Sequence, residues 1–185
     1  MTVTLNLGLL LLRVVCGLTL AAHGSQKLFG WFGGSGFAKQ REGMAKQGYK
    51  PALLWAFFVV LGEVGGGLSL AFGLLTPLGA AGIVGSMVMA IFKVHWKNGF
   101  WNGKRGIEFP LSLLTIATAI GIMGPGDYSL DALLNIALPS PLLFGILAAA
   151  AVVVDSVGML MTRPTATPAS PPSPAPPGPA QPGTA

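Results

Sequence analysis

Long stretches of this chain carry no charge, and the charges that remain are grouped. Arg13 stands alone inside the first apolar run. Lys27, Lys39, Arg41, Lys46 and Lys50 form one basic group, Lys93, Lys97, Lys104 and Arg105 a second, and Arg163 follows the last apolar run. Only 9% of residues are charged, against roughly a quarter in soluble domains. Too little charge is present to cover a surface in water. The grouping is that of a chain crossing a bilayer several times with its basic loops on one side. Because the cations lie at the ends of apolar runs, the +5 balance points to anionic lipid headgroups and not to nucleic acid.

A hydrocarbon core about 30 Å thick needs roughly 20 helical residues. Five apolar runs approach that length: residues 4–22, 52–75, 78–92, 109–124 and 141–161. The expected fold is all-α, a polytopic membrane bundle of four core transmembrane helices in residues 1–135 and an additional helix in 136–162. The fifth run has two readings, a span or a helix lying in the interface. Residues 163–185, rich in proline, read as a disordered tail. Basic residues follow runs one and three, and none follow runs two and four. The alternation predicts the N-terminus outside, both basic loops in the cytoplasm, and a plasma-membrane location. Cys16 is the one cysteine, so no intrachain disulfide forms. Arg13 breaks what would be the apolar core of a secretion signal, so the first run reads as a retained span.

Arg13 and Glu63 are the charges set deepest in apolar sequence. On consecutive antiparallel helices both fall roughly 15–18 Å from the basic side, at 1.5 Å per residue. Opposite charges at one depth relieve each other, so the two are expected to form a buried pair, either a structural ion pair or a proton- or headgroup-handling site. His23 and His95 end the first and third runs and read as interfacial polar caps or as two ligands of a haem. Each leads into glycines and aromatics: Phe29, Gly30, Trp31 and Phe32 in one loop, Asn98, Gly99, Phe100 and Trp101 in the other. These are interfacial anchors or the lining for a flat ligand such as a quinone. Glu108 is expected to cap the fourth helix or to pair with Lys93 or Lys97. Asp127 and Asp131 read as turn and cap residues, and Asp155 as the end of a shortened fifth helix. Gly62 with Gly66, Gly82 with Ser86, Ala81 with Gly85 and Gly17 with Ala21 have the spacing that lets helices approach closely in lipid.

The run His23, Gly24, Gln26, Lys27, Leu28, Phe29, Gly30, Trp31, Phe32, Gly33, Gly34 resembles the signature of the DoxX family of small bacterial membrane proteins. So do Glu63 with Gly66 and Gly67, then Gly73 to Thr76. His95 with Asn98 to Trp101, Glu108 with Pro110, and Gly124 to Asp131 complete the resemblance. It spans residues 7–134 and implies a four-helix membrane bundle. It also implies a loose link to redox physiology. The family takes its name from a subunit of a terminal quinol oxidase, and some mycobacterial members are associated with oxidative-stress and thiol-handling partners. Most members have no demonstrated enzymatic activity.

Three functional readings follow. The first is a non-catalytic or accessory subunit of a quinone-linked or oxidative-stress-related membrane redox assembly, docking membrane or peripheral oxidoreductases. Its site residues are Arg13 and Glu63 with the loops carrying His23, Gln26, Lys27, Phe29, Trp31, His95, Asn98, Phe100, Trp101 and Glu108. The second is a proton-coupled transporter or permease with Glu63 as the titrating group, which needs a homo-oligomer because the spans are few. The third is a haem-binding subunit with His23 and His95 as axial ligands.

Overall fold

The computed structural model describes residues 2–162; Arg163 and the proline-rich tail lie outside the described residues. Helix α1, Val3–Leu28, starts where the Thr2 hydroxyl accepts the Leu5 amide. It runs six residues past the end expected at residue 22, through His23 and Lys27, and stops before Gly30 in the left-handed region. Helix α2, Gly36–Lys46, was not expected: its cations mark it as loop. Its apolar residues Phe37 and Met44 nonetheless pack on a cluster with Tyr49, Ala56 and Val59. Its polar side carries Glu42 and Lys46 as an i,i+4 ion pair of 2.7 Å.

Three long apolar helices follow: α3, Ala52–Phe72, α4, Thr76–Asn98, and, after the short ones, α7, Ser140–Met161. With α1 they are, among the described residues, the four helices long and apolar enough to cross a membrane. Between α4 and α7 come α5, Glu108–Met123, and the single-turn α6, Leu130–Leu133. The fifth apolar run is therefore a helix of full spanning length, and the short member of the bundle is α5. At 16 residues it reaches only about 24 Å. Asp155 does not end the last helix, which continues to Met161.

Helix α4 is the centre. It packs on α3, α5 and α7, and 61% of its apolar window is buried, against 17% for α7. The core around it joins Leu20, Leu70, Ala80, Ile83, Met87, Leu113, Ala117 and Ile120. Outward-facing leucines, valines and phenylalanines such as Leu11, Val15, Phe57 and Val153 are exposed, as a lipid solvent requires. Between helices in lipid the hydrophobic drive is gone, so close backbone approach must supply the association.

The α1–α3 crossing shows this. A Cβ added to Gly67 would lie 2.7 Å from both the Gly17 oxygen and the Ala21 nitrogen, and one on Gly17 would run into the Gly67 carbonyl. Gly62 meets Gly82 in the same way across α3 and α4. The small-residue pairs seen in the sequence thus sit at real helix crossings.

Both α3 and α4 widen into a π-helical turn, at Leu61–Gly65 and at Ile91–His95. Such turns push a residue out of the regular ladder and recur at functional sites.

Gly17→Leu should destabilise by at least about 1–3 kcal/mol, because backbone stands on the far side and cannot yield. Gly8→Leu, with nothing within 4 Å of its added Cβ, should leave stability unchanged. Thermal unfolding in detergent checks both; equal melting temperatures for the two variants would contradict the α1–α3 contact.

Candidate functional site

The two deep charges do not pair. Arg13 and Glu63 lie at opposite ends of the α1–α3 contact, and each has its own partner. Glu63 is 2% exposed and forms a short ion pair with Lys27 of α1. Arg13 is 1% exposed; its guanidinium donates to the Tyr128 carbonyl and faces the charge of Asp131. The expected pairing fails because α1 is longer than its apolar run. Lys27 and Arg13 both belong to α1, and 14 residues separate them, about 21 Å along the axis. Glu63 is level with the Lys27 end, beside Gly24, while Arg13 is level with Gly73.

The Arg13 end is a structural lock. Gly73 has φ 63°, and any Cβ there would strike the Arg13 guanidinium. The Asp131 carboxylate accepts the Leu75 and Thr76 amides at 2.8 and 3.1 Å and so closes the first turn of α4, where a negative charge is favoured. Its own amide donates to the Gly73 carbonyl at 2.9 Å. The cap of α6 is Ser129, whose hydroxyl accepts the Ala132 amide at 3.1 Å. Asp127 accepts from the Asn6 amide group at 2.6 Å, and that bond holds its carboxyl below the usual range. The Gly124-to-Asp131 segment therefore ties α1, α3 and α4 together, with Asp131 capping α4 and not its own helix.

The Lys27 end holds a cavity of about 320 Å³, at the small end of the range for ligand pockets. The two π-helical turns supply Glu63 and His95, α1 supplies Lys27, and α2 with its following turn supplies Gln40, Met44 and Gln47. Lys27 takes one oxygen of Glu63; the other, Oε2, is buried with no hydrogen-bond partner, and so is Gln47 Oε1. His95 Nδ1 lies 2.6 Å from the Arg105 carbonyl. A carbonyl only accepts, so the proton of the neutral ring is on Nδ1 and Nε2 is the free acceptor. The cavity thus offers one ammonium and several unsatisfied acceptors.

Of the other expected site residues, His23 packs at a tilt against Phe109, ring centroids 5.2 Å apart. Of the two cavities described, one takes His95 and neither takes His23. Among the described residues no group of three His, Cys, Asp or Glu is placed to hold a metal ion. Gln26 donates to the Phe32 carbonyl at 3.3 Å, and Asn98 to the Arg105 carbonyl at 3.0 Å; both shape their loops. Phe29, Trp31, Phe32, Phe100 and Trp101 are exposed and line neither cavity. Glu108 makes no side-chain cap; its carboxylate accepts the Asn102 amide at 2.8 Å and fixes the preceding loop. Lys93 bonds to the Thr162 hydroxyl at 2.6 Å, not to Glu108.

Sequence reasoning missed Gln40, Met44 and Gln47, although their spacing of four and three places them on one helical face. It also missed Tyr49. Burial and the nearby Asp155 charge push its phenol up to about 12, and its hydroxyl has no hydrogen-bond partner.

A multi-helix apolar bundle with compensated internal charges defines an integral membrane protein. The DoxX family matches residues 8–96. Inner membrane protein YqjF of Escherichia coli (strain K12) is 32% identical over 133 residues, covering 70% of this chain and 94% of that protein. The chain belongs to the DoxX family, and its likeness to YqjF makes it a multi-pass protein of the inner, cytoplasmic membrane. No solved structure matches it.

In a stability cycle, Lys27→Met and Glu63→Leu should be non-additive by about 0.5–3 kcal/mol, in the lower part of that range because Lys27 is partly exposed. Arg13→Leu and Glu63→Leu should add to within about 0.5 kcal/mol. Coupling between Arg13 and Glu63 would contradict the geometry.

Proposed function

We propose that the protein is a non-catalytic subunit of a membrane redox assembly that holds a quinone-class head group in the Lys27–Glu63 cavity. The observation that carries this reading is the unpartnered Oε2 of Glu63, buried in a cavity beside the unpartnered Oε1 of Gln47. Buried acceptors left unsatisfied are costly. A quinol, with a hydroxyl at each end of a flat ring, donates to two such acceptors at once. Lys27 supplies the opposite polarity for the oxidised form, whose carbonyl oxygens accept from the ammonium, while His95 Nε2 adds a further acceptor for the reduced form. Nothing in this arrangement requires a covalent step by the chain itself, which suits an accessory role.

The basic residues around this end, with Trp31, Trp96 and Trp101 exposed beside them, fit a cytoplasmic interface facing anionic lipid. A partner oxidoreductase would meet the cavity from that side.

Protein extracted in mild detergent should retain quinone or quinol, measured by chromatography of the solvent extract, and should co-purify with oxidoreductases. Glu63→Gln and Gln47→Ala should each lower the retained quinol while the protein still runs as a single peak. Wild-type protein free of quinone even when supplied with it, and free of partners, would overturn the reading.

A further inference from the structure

We propose a second ligand site, distinct from the Lys27–Glu63 cavity: a lipid-facing groove that takes a lipophilic monocation, with Asp155 as its counter-ion. The groove lies between α3, α4 and α7 and encloses about 860 Å³. Its floor is opened by glycines of α3 and α4. A Cβ on Gly85 would sit 3.3 Å from Asp155 Oδ2, so the glycine lets the carboxylate pack closely at the groove wall. Its rim includes Phe58, Phe72 and Leu78, all exposed to the bilayer, so a ligand enters from the lipid.

Asp155 is the independent observation. It is 7% exposed, it stands in the groove wall, and its Oδ2 has no hydrogen-bond partner. Among the described residues it is the only charged side chain lining the groove. The hydroxyls of Ser69 and Ser86 are already donated to the Leu74 and Val59 carbonyls, at 2.6 and 3.4 Å. An isolated carboxylate in apolar surroundings is strongly disfavoured until an opposite charge joins it. Aromatic rims favour a cation further.

The other occupants fit less well. A second copy docking through the same face would present this same wall, apolar with one acid, and no base. Of the cations in the span helices, Arg13 is engaged with Tyr128, Lys27 with Glu63 and Lys93 with Thr162. Acyl chains fill apolar volume but bring no charge to Asp155.

The test is equilibrium binding of tetraphenylphosphonium to the purified full chain in neutral detergent, with protein-free micelles subtracted and tetraphenylborate as the control of equal shape and opposite charge. The wild type should bind the phosphonium saturably and the borate weakly. Asp155→Asn should weaken phosphonium binding at least about tenfold, as loss of one member of a desolvated charge pair does. Val154→Trp, which fills the groove from an exposed position, should do the same and keeps the test decisive if Asp155→Asn fails to fold. Glu63→Gln should leave the affinity unchanged, which separates this site from the quinone reading. Equal uptake of the borate, or unchanged affinity in a folded Asp155→Asn or in Val154→Trp, would overturn the proposal. A dimer by light scattering that Val154→Trp dissociates, with no phosphonium uptake, would assign the groove to a second copy instead.

Discussion

Hydrocarbon does not tolerate a lone charge, and that constraint organises this bundle. Arg13 and Glu63 both lie almost fully inside, and each is compensated by what the fold brings to it. The compensation is not mutual. Glu63 takes Lys27 from the far end of α1. Arg13 takes the Tyr128 carbonyl and the field of Asp131. The result is a bundle with a lock at one end and a polar cavity at the other. Between them lies a stretch of α1 and α3 held together by glycine and alanine contacts.

The division of labour follows from how the partners are built. At the Arg13 end the Asp131 carboxylate and the surrounding backbone pair with one another, while Nε and Nη1 of Arg13 stay buried without hydrogen-bond partners. Asp131 closes the first turn of α4 and at the same time bonds back to the Gly73 strandless turn. At the Lys27 end the helices are interrupted by π-helical turns, and the groups they expose are incompletely paired. Unpaired polar atoms in a closed space are where binding energy is available.

Much of the fold was legible in the sequence because membrane insertion leaves a strong signal. Five apolar runs became five helices, and the glycine spacings marked real crossings. The errors were at helix ends. Lys27 was assigned to a loop because it is charged, and that single misplacement moved the expected partner of Glu63 from Lys27 to Arg13. Helix α2 was hidden for the same reason, since its buried residues Phe37 and Met44 are outnumbered by polar ones. Asp155 reads as a helix end in the sequence, yet it is buried within α7. The membership in the DoxX family could be read from motifs, and Glu63, Lys27 and His95 stand within them. The cavity that joins those three could not, because it depends on two π-helical turns that have no pattern of their own in the sequence.

The central claim is that both basic segments lie at one end of a membrane-spanning bundle and the Arg13 lock lies at the other. Single cysteines placed at Lys46, Lys104 and Leu133 in a Cys16→Ser background, probed in intact cells with a membrane-impermeant thiol reagent, test it directly. Lys46 and Lys104 should be protected or labelled together, and Leu133 should behave oppositely. Labelling of Lys46 and Lys104 from opposite faces of the membrane would contradict the account.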